Sequence, residues 1–369
     1  MKILIGLTYY WPNISGVSVY AQLLAEELAN KNHKIRVICA KSPPDPLFEQ
    51  RGGAEIFRIK GLPIGKGFIM PSYWYKSIKQ VRWAEVINCH LPSIESFWLA
   101  LWGKVFGKKV VVTHHCEFML TGLLSNKLIA ILSWPIHFFI YLWADKIIAY
   151  TEDYANNSSF LKIFKNKLVF ILPPIKINKI SNFQFPISKK YIIGYVGRIA
   201  WEKGLDRLIE IIPKFKKEFS EDFEMWWIGP YKNVQGDNYY ENFQFLISNF
   251  QKEIKLIGPI EHDNLNKYYA KMDCLVLPST DNLETFGIVQ AEAMLCGVPV
   301  VASNLPGVRV PITMTGMGEV ASITDNNDLA NKIIKVLKNR NKYIKNAKNL
   351  ELFDYKKTVD KYEKVFRID

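Results

Sequence analysis

The chain has 369 residues, 49% of them hydrophobic, long for one domain and enough to bury two cores. Its five cysteines (Cys39, Cys89, Cys116, Cys274, Cys296) are scattered without a C-x-x-C pair, which argues against a disulfide framework and fits a reducing cytoplasm. The net charge of +13 is uneven: residues 1–186 carry 22 Lys and Arg against 11 Asp and Glu, residues 187–369 carry 26 against 24. That asymmetry points to an anionic partner for the first half. No zinc-finger or RNP-type spacing occurs, so nucleic acid is not expected, and an anionic membrane surface is the other candidate.

The N-terminal run is short, apolar and without a cleavage-site pattern, so Lys2–Leu7 reads as a first strand and not a leader. Further strands are predicted over Lys34–Ala40, Ala54–Ile59, Glu85–His90, Lys109–His114, Lys146–Tyr150 and Leu168–Leu172. Between several of them lie helix-length segments, including Val17–Asn30 and Ile94–Phe106. Residues 173–188 break this rhythm and read as a linker. A second alternation follows, with strands over Tyr191–Val196, Phe223–Ile228, Ile254–Ile257, Asp273–Leu277 and Pro299–Ala302. Strands alternating with helices pair in parallel through right-handed crossovers. The expected fold class is therefore α/β, two doubly wound Rossmann-like domains (residues 1–180 and 187–350) facing across a cleft at the carboxyl ends of their sheets.

Two apolar stretches of the first half bear on membranes. Residues 61–76 are aromatic, apolar and basic, and Leu128–Ala144 holds no charged residue. As a helix the latter reaches about 25 Å, short of a comfortable span, and Pro135 and His137 interrupt it. No transmembrane helix is predicted. Its latter part reads as core, while residues 118–127 and the 62–79 loop can lie on a bilayer surface.

The chemistry concentrates in the second half. Gly197-Arg198 closes a strand and Lys203-Gly204 leads into a helix, so two cations five residues apart can grip a diphosphate from two sides. Further on, Asn282-Leu-Glu-Thr-Phe-Gly-Ile-Val-Gln-Ala-Glu292 places Glu284 ahead of a helix that starts at Gly287, and Glu292 more than a turn inside it. A helix N-terminus suits a diphosphate, and carboxylates on either side of it suit sugar hydroxyls. The same carboxylates could instead be a dipole partner and a solvated helix residue. In the first half, Gly16 follows strand one at a helix start, where backbone could approach a phosphate. His114 and His115 end a strand and point to opposite faces, so a His-His-Cys-Glu metal cluster is not expected. Gly316-Met-Gly-Glu-Val-Ala321 lacks a preceding apolar strand and is set aside as a dinucleotide fingerprint.

The run Glu284 to Glu292, with the Gly297-Val-Pro-Val-Val301 tail, resembles the Glu-x7-Glu motif of the retaining glycosyltransferases of family 4, the group 1 glycosyltransferases of GT-B fold. The resemblance covers nearly the whole chain. It implies that Glu284 holds the hydroxyls of the transferred sugar and Glu292 the ribose, with the backbone of Phe286, Gly287, Ile288 and Val289 near the phosphates. Arg198 and Lys203 would stabilise the leaving nucleoside diphosphate, and the turn at Ile260 would lie beside the base, unless it is an ordinary Gly-Pro turn. His115 would bond the donor sugar near the reacting centre, and Glu117 stands where the family often has Asp. Gly16 matches one of two glycines that many members carry.

The expectation is a hexosyltransferase, retaining, with mannose the favoured sugar, acting on a glycan or lipid-linked acceptor in cell-surface polysaccharide biosynthesis. The chain would be cytoplasmic and peripheral on the inner face of the cell membrane, with its last segment, 355–369, crossing back to the first domain. Its co-substrate would be a nucleotide sugar. No Asp-x-Asp occurs, so no metal cofactor is expected, and no protein nucleophile is assigned. The alternatives are the same chemistry on a soluble small-molecule acceptor, or a nucleotide-sugar-binding protein without catalysis.

Overall fold

A computed structural model describes residues 1–13, 15–42, 44–64, 67–117, 124–177, 190–231 and 239–367. The chain divides into two compact units, Met1–Pro174 with Asp354–Asp369, and Ile175–Phe353.

The first unit opens with β1 (Lys2–Gly6), β2 (Lys34–Ala40), β3 (Phe48–Arg51) and β4 (Ala54–Ile59). A two-stranded antiparallel ribbon, β5 (Leu62–Ile64) and β6 (Gly67–Ile69), follows. Then come β7 (Val86–Leu91), β8 (Lys109–His114), β9 (Lys146–Ala149) and β10 (Leu168–Phe170). Eight strands form one sheet in the order β10-β9-β8-β7-β1-β2-β4-β3, parallel except at the β3–β4 edge. β1 and β8 carry apolar runs because both their faces are covered: Ile3, Leu4, Ile5 and Val110–Val112 are fully buried, while β7 between them also buries Asn88 and His90. The connecting helices are α1 (Gly16–Asn30), α2 (Tyr73–Trp83), α3 (Ser96–Val105), α4 (Leu124–Trp143) and α5 (Glu152–Asn157).

Helix α4 departs from expectation, since it runs through Pro135 and His137 without a break. A proline inside a helix costs about 3 kcal/mol. Here Ile140, Tyr141 and Ala144 are buried in the core against α3 and the sheet, and that burial outweighs the lost backbone bond. His137 settles into the helix by donating from Nδ1 to the Ser133 carbonyl at 2.8 Å. No helix among the described residues is long and apolar enough to cross a membrane.

The second unit carries β11 (Tyr191–Val196), β12 (Phe223–Ile228), β13 (Ile254–Gly258), β14 (Cys274–Leu277), β15 (Val300–Ser303) and β16 (Gly318–Ala321). They form one parallel sheet in the order β13-β12-β11-β14-β15-β16. Its helices are α6 (Leu205–Glu210), α7 (Ile212–Glu218), α8 (Tyr239–Ser248), α9 (Leu265–Tyr269), α10 (Ile288–Leu295), α11 (Val310–Thr315) and α12 (Asn326–Lys345). Gly316 ends α11 in the left-handed region and Gly318 opens β16, so these two glycines are used by the fold itself.

The last helix, α13 (Tyr355–Phe366), belongs to the first unit. The Tyr362 hydroxyl meets those of Tyr20 at 2.6 Å and Thr113 at 3.0 Å, and Lys31 bridges to Glu363 at 2.8 Å. In each sheet the strand order reverses beside the first strand, between β1 and β7 and between β11 and β14. Those reversals are where the carboxyl ends of a doubly wound sheet leave room for a ligand.

Candidate active site

At the reversal in the second unit, two loops meet, one after β11 and one after β14. The first begins at Gly197-Arg198, and the Tyr195 hydroxyl donates to the Arg198 carbonyl at 2.6 Å. The Arg198 guanidinium bonds Glu202 at 3.0 Å, with the arginine 40% exposed and the glutamate buried. The next residue, Lys203, reaches across to the second loop, its Nζ 2.7 Å from Oε2 of Glu284. Gly204 makes that approach possible. Its φ is +63°, and a Cβ there would lie 2.4 Å from the Pro278 carbonyl. A backbone bond from Thr280 N–H to the Glu202 carbonyl, 3.3 Å, ties the two loops again.

Glu284 is presented by a tight turn in which the Leu283 N–H bonds the Asp281 carboxylate at 2.9 Å. The chain then turns into α10 through Gly287, at φ +73°, where a Cβ would lie 2.5 Å from both Gln290 and Leu277. Gln290 fixes the turn by donating to the carbonyls of Phe286 (2.9 Å) and Val308 (3.0 Å). Phe286 is buried against Phe353, and Ile288 and Val289 are half-buried in the first turn of α10. Two cations of different geometry beside a helix N-terminus form a set able to receive a diphosphate, and Glu284 adds an acceptor for hydroxyls.

Glu292 has other partners. It is buried within α10, accepting from the Tyr269 hydroxyl and from His262 Nε2, each at 2.8 Å. The bond to Glu292 holds the His262 imidazole above its ordinary pKa, against the opposing effect of burial. Ile260 lies half-buried between β13 and the turn at His262–Asn264. Neither His262 nor Tyr269 was named from sequence. The one available signal was that His262 stands two residues past Ile260, and nothing in its spacing tied it to position 292.

In the first unit His114, at the end of β8, and His115, just past it, do take opposite faces. His114 meets the Tyr141 hydroxyl at 2.5 Å and that of Tyr154 at 3.4 Å. His115 meets the Tyr150 hydroxyl through Nδ1 and His90 through Nε2, the latter at 2.8 Å. Both are buried, and burial pushes both imidazoles below their ordinary pKa, His114 to about 3. Glu117 accepts from the Ser158 hydroxyl, which anchors its carboxylate to α5's C-terminal end. Gly16 is the first residue of α1, behind a capping box between Ser15 and Ser18, and a Cβ at Gly16 would meet nothing within 4 Å. No group of three or more metal-ligating side chains occurs among the described residues.

Comparison with known proteins agrees with this architecture. The family described as Glycosyltransferase Family 4 matches residues 14–179, and that described as Glycosyl transferases group 1 matches residues 177–350. An uncharacterized glycosyltransferase of Methanocaldococcus jannaschii is 27% identical over 92% of this chain and 89% of its own length. The GPI3 subunit of phosphatidylinositol N-acetylglucosaminyltransferase from Saccharomyces cerevisiae is 22% identical over 90% of this chain and 75% of its own. Among solved structures, HepE of Anabaena in complex with UDP-glucose superposes with a TM-score of 0.76 at 19% identity, covering 99% of both chains. With two Rossmann-like units in GT-B fashion and the two matches together spanning residues 14–350, the chain belongs to the group 1 glycosyltransferases of family 4.

Proposed function

We propose that this glycosyltransferase moves a hexose from a nucleoside diphosphate sugar to a glycan or lipid-linked acceptor, with retention at the anomeric carbon. The observation that carries this reading is the 2.7 Å contact of Lys203 with Glu284 at the sheet reversal of the second unit. It sets a cation for the leaving diphosphate directly beside a carboxylate for the sugar's hydroxyls. Arg198, half-exposed beside its buried Glu202 partner, can turn a bidentate guanidinium onto the second phosphate. The α10 N-terminus at Phe286–Val289 supplies backbone donors, Glu292 takes the ribose hydroxyls, and Ile260 lies against the base. In the first unit, Gly16 receives phosphate, and His115 serves the transferred sugar. With charge on the diphosphate neutralised by side chains and a helix dipole, no metal is required.

HepE was solved with UDP-glucose, which supports a nucleotide-sugar donor, and the yeast relative's name supports a lipid-linked acceptor. Trp74, Tyr75, Trp134, Phe139 and Leu142 are exposed on the basic first unit, which supports a peripheral association with anionic membrane in cell-surface polysaccharide assembly. Residues 118–123 of the stretch assigned to that role lie outside the described residues.

A thermal-shift panel of UDP, GDP, UDP-glucose and GDP-mannose tests the donor. A donor at 100 times its Kd stabilises by about 2.7 kcal/mol, and GDP-mannose is the pairing favoured from sequence. No shift with any nucleotide sugar would overturn the reading. Flotation with anionic vesicles separates a lipid-linked acceptor from a soluble one.

A further inference from the structure

The first unit contains a buried chain of hydrogen bonds whose direction can be worked out from one backbone carbonyl. Asn88 on β7 contacts the Val111 carbonyl at 3.2 Å, and a carbonyl only accepts, so the Asn88 amide nitrogen faces it. That nitrogen also donates to the Thr113 hydroxyl at 3.0 Å. The Asn88 oxygen therefore faces His90 Nε2, 2.8 Å away, and Nε2 must carry the proton. His90 is fully enclosed, and burial lowers its pKa to about 3, so the ring is neutral and its Nδ1 is a bare acceptor. The group 2.8 Å from that acceptor is His115 Nε2, which must then be an N–H. This leaves Nδ1 of His115 as an acceptor, and the Tyr150 hydroxyl donates to it.

We infer that His90 is a positioning residue, locking His115 in the Nε2–H tautomer with Nδ1 as the acceptor. Packing holds the same arrangement: the His90 and His115 rings stack with centroids 5.0 Å apart, and Tyr20 sits edge-on to His115 at 4.9 Å. The other end of the chain reaches the last helix, since Thr113 meets the Tyr362 hydroxyl at 3.0 Å and Tyr362 meets Tyr20 at 2.6 Å. The assignment rests on the proposed role of His115 for its catalytic meaning, though not for its geometry. It makes His115 an acceptor toward any hydroxyl that takes the place of Tyr150, and not a donor.

Ring nitrogen shifts and long-range couplings in 15N-histidine-labelled protein read the tautomer directly. The wild type is expected to show His115 protonated on Nε2 and unprotonated on Nδ1, and the reverse overturns the proposal. His90→Phe keeps the ring stack and removes the acceptor, and should lose the tautomer preference and lower kcat at least tenfold with KM for donor little changed. His90→Gln restores an acceptor toward His115 and a donor toward Asn88, and should recover both signals. If the tautomer is lost in His90→Phe while kcat holds, the lock stands and the catalytic role of His115 falls. If the tautomer in His90→Phe is that of the wild type, the lock itself falls, and His90→Gln failing to recover the Nε2–H form has the same meaning.

Discussion

The two units share one strand order around their first strand and differ sharply in how they treat charge beside it. In the first, groups on β7, at the end of β8 and after β9 form a buried, neutral chain of imidazoles, hydroxyls and an amide. In the second, the loops after β11 and β14 hold ion pairs that keep partial contact with water. The difference follows from solvation. A buried histidine without a carboxylate partner sheds its proton, whereas Arg198 at 40% exposure keeps its charge and can exchange one anionic partner for another. A fixed neutral network orients groups, and an exchangeable ion pair receives a charged ligand.

The largest expected effect lies on the exchangeable side. Lys203→Ala should lower kcat by about 10²–10³-fold, the range for losing one preorganised stabiliser of developing charge. Its melting point should fall modestly, because the two side chains are only 19% and 18% exposed and removing the lysine leaves Glu284 partly desolvated, a cost of about 1–3 kcal/mol. A large stability loss with preserved turnover would reverse the contrast and make the pair structural.

Next in size are the backbone turns. Gly287→Ala forces a side chain into the left-handed region against Gln290 and Leu277, a cost of about 1–3 kcal/mol visible in the urea midpoint. Gly16→Ala meets open space and should leave stability unchanged or slightly raised. A fall in donor affinity in that second variant would then report the approach of a ligand.

The histidines of the two units should respond to pH with opposite signs. His90 and His114 are lowered from 6.5 to about 3, and His115 is lowered too, so the unfolded chain binds more protons between those values. Their contribution is full above pH 6.5 and is lost as pH falls toward 3. His262 is raised, so its pairing with Glu292 contributes fully below 6.5 and is lost as pH rises through its folded value. His262→Ala should therefore cost stability at pH 6 and little at pH 9, the smallest effect of the set because the imidazole is 35% exposed. Urea midpoints from pH 5 to 9 decide the sign, and equal losses at both ends would remove the ion-pair account of His262.

Much of the fold was legible because a doubly covered parallel strand must be an apolar run. Lys34–Ala40, Ala54–Ile59, Lys109–His114, Tyr191–Val196 and Phe223–Ile228 were placed to the residue. What escaped lacks that signal. Strand β3 is Phe-Glu-Gln-Arg at the sheet's antiparallel edge, and β16 opens on Gly318, where no side chain fits because a Cβ would lie 1.9 Å from the Val300 carbonyl. The ribbon of β5 and β6 is too short to show a period. Pro135 misled in the other direction, since local propensity argued for a break that core burial overrides.

By itself the sequence determined two wound units, the glycine turns and the spacing of Glu284 from Glu292, because these depend on local period and backbone freedom. Only the tertiary structure decided which groups meet. Lys203 joins Glu284 across 81 positions, Tyr362 joins Tyr20 across 342, and Glu292 goes to His262 and Tyr269. No local pattern encodes such pairs. They arise where distant elements converge, Lys203 and Glu284 at loops beside a strand-order reversal and Tyr20 with Tyr362 and Glu292 with Tyr269 between helices, and burial then sets which of their protons stay.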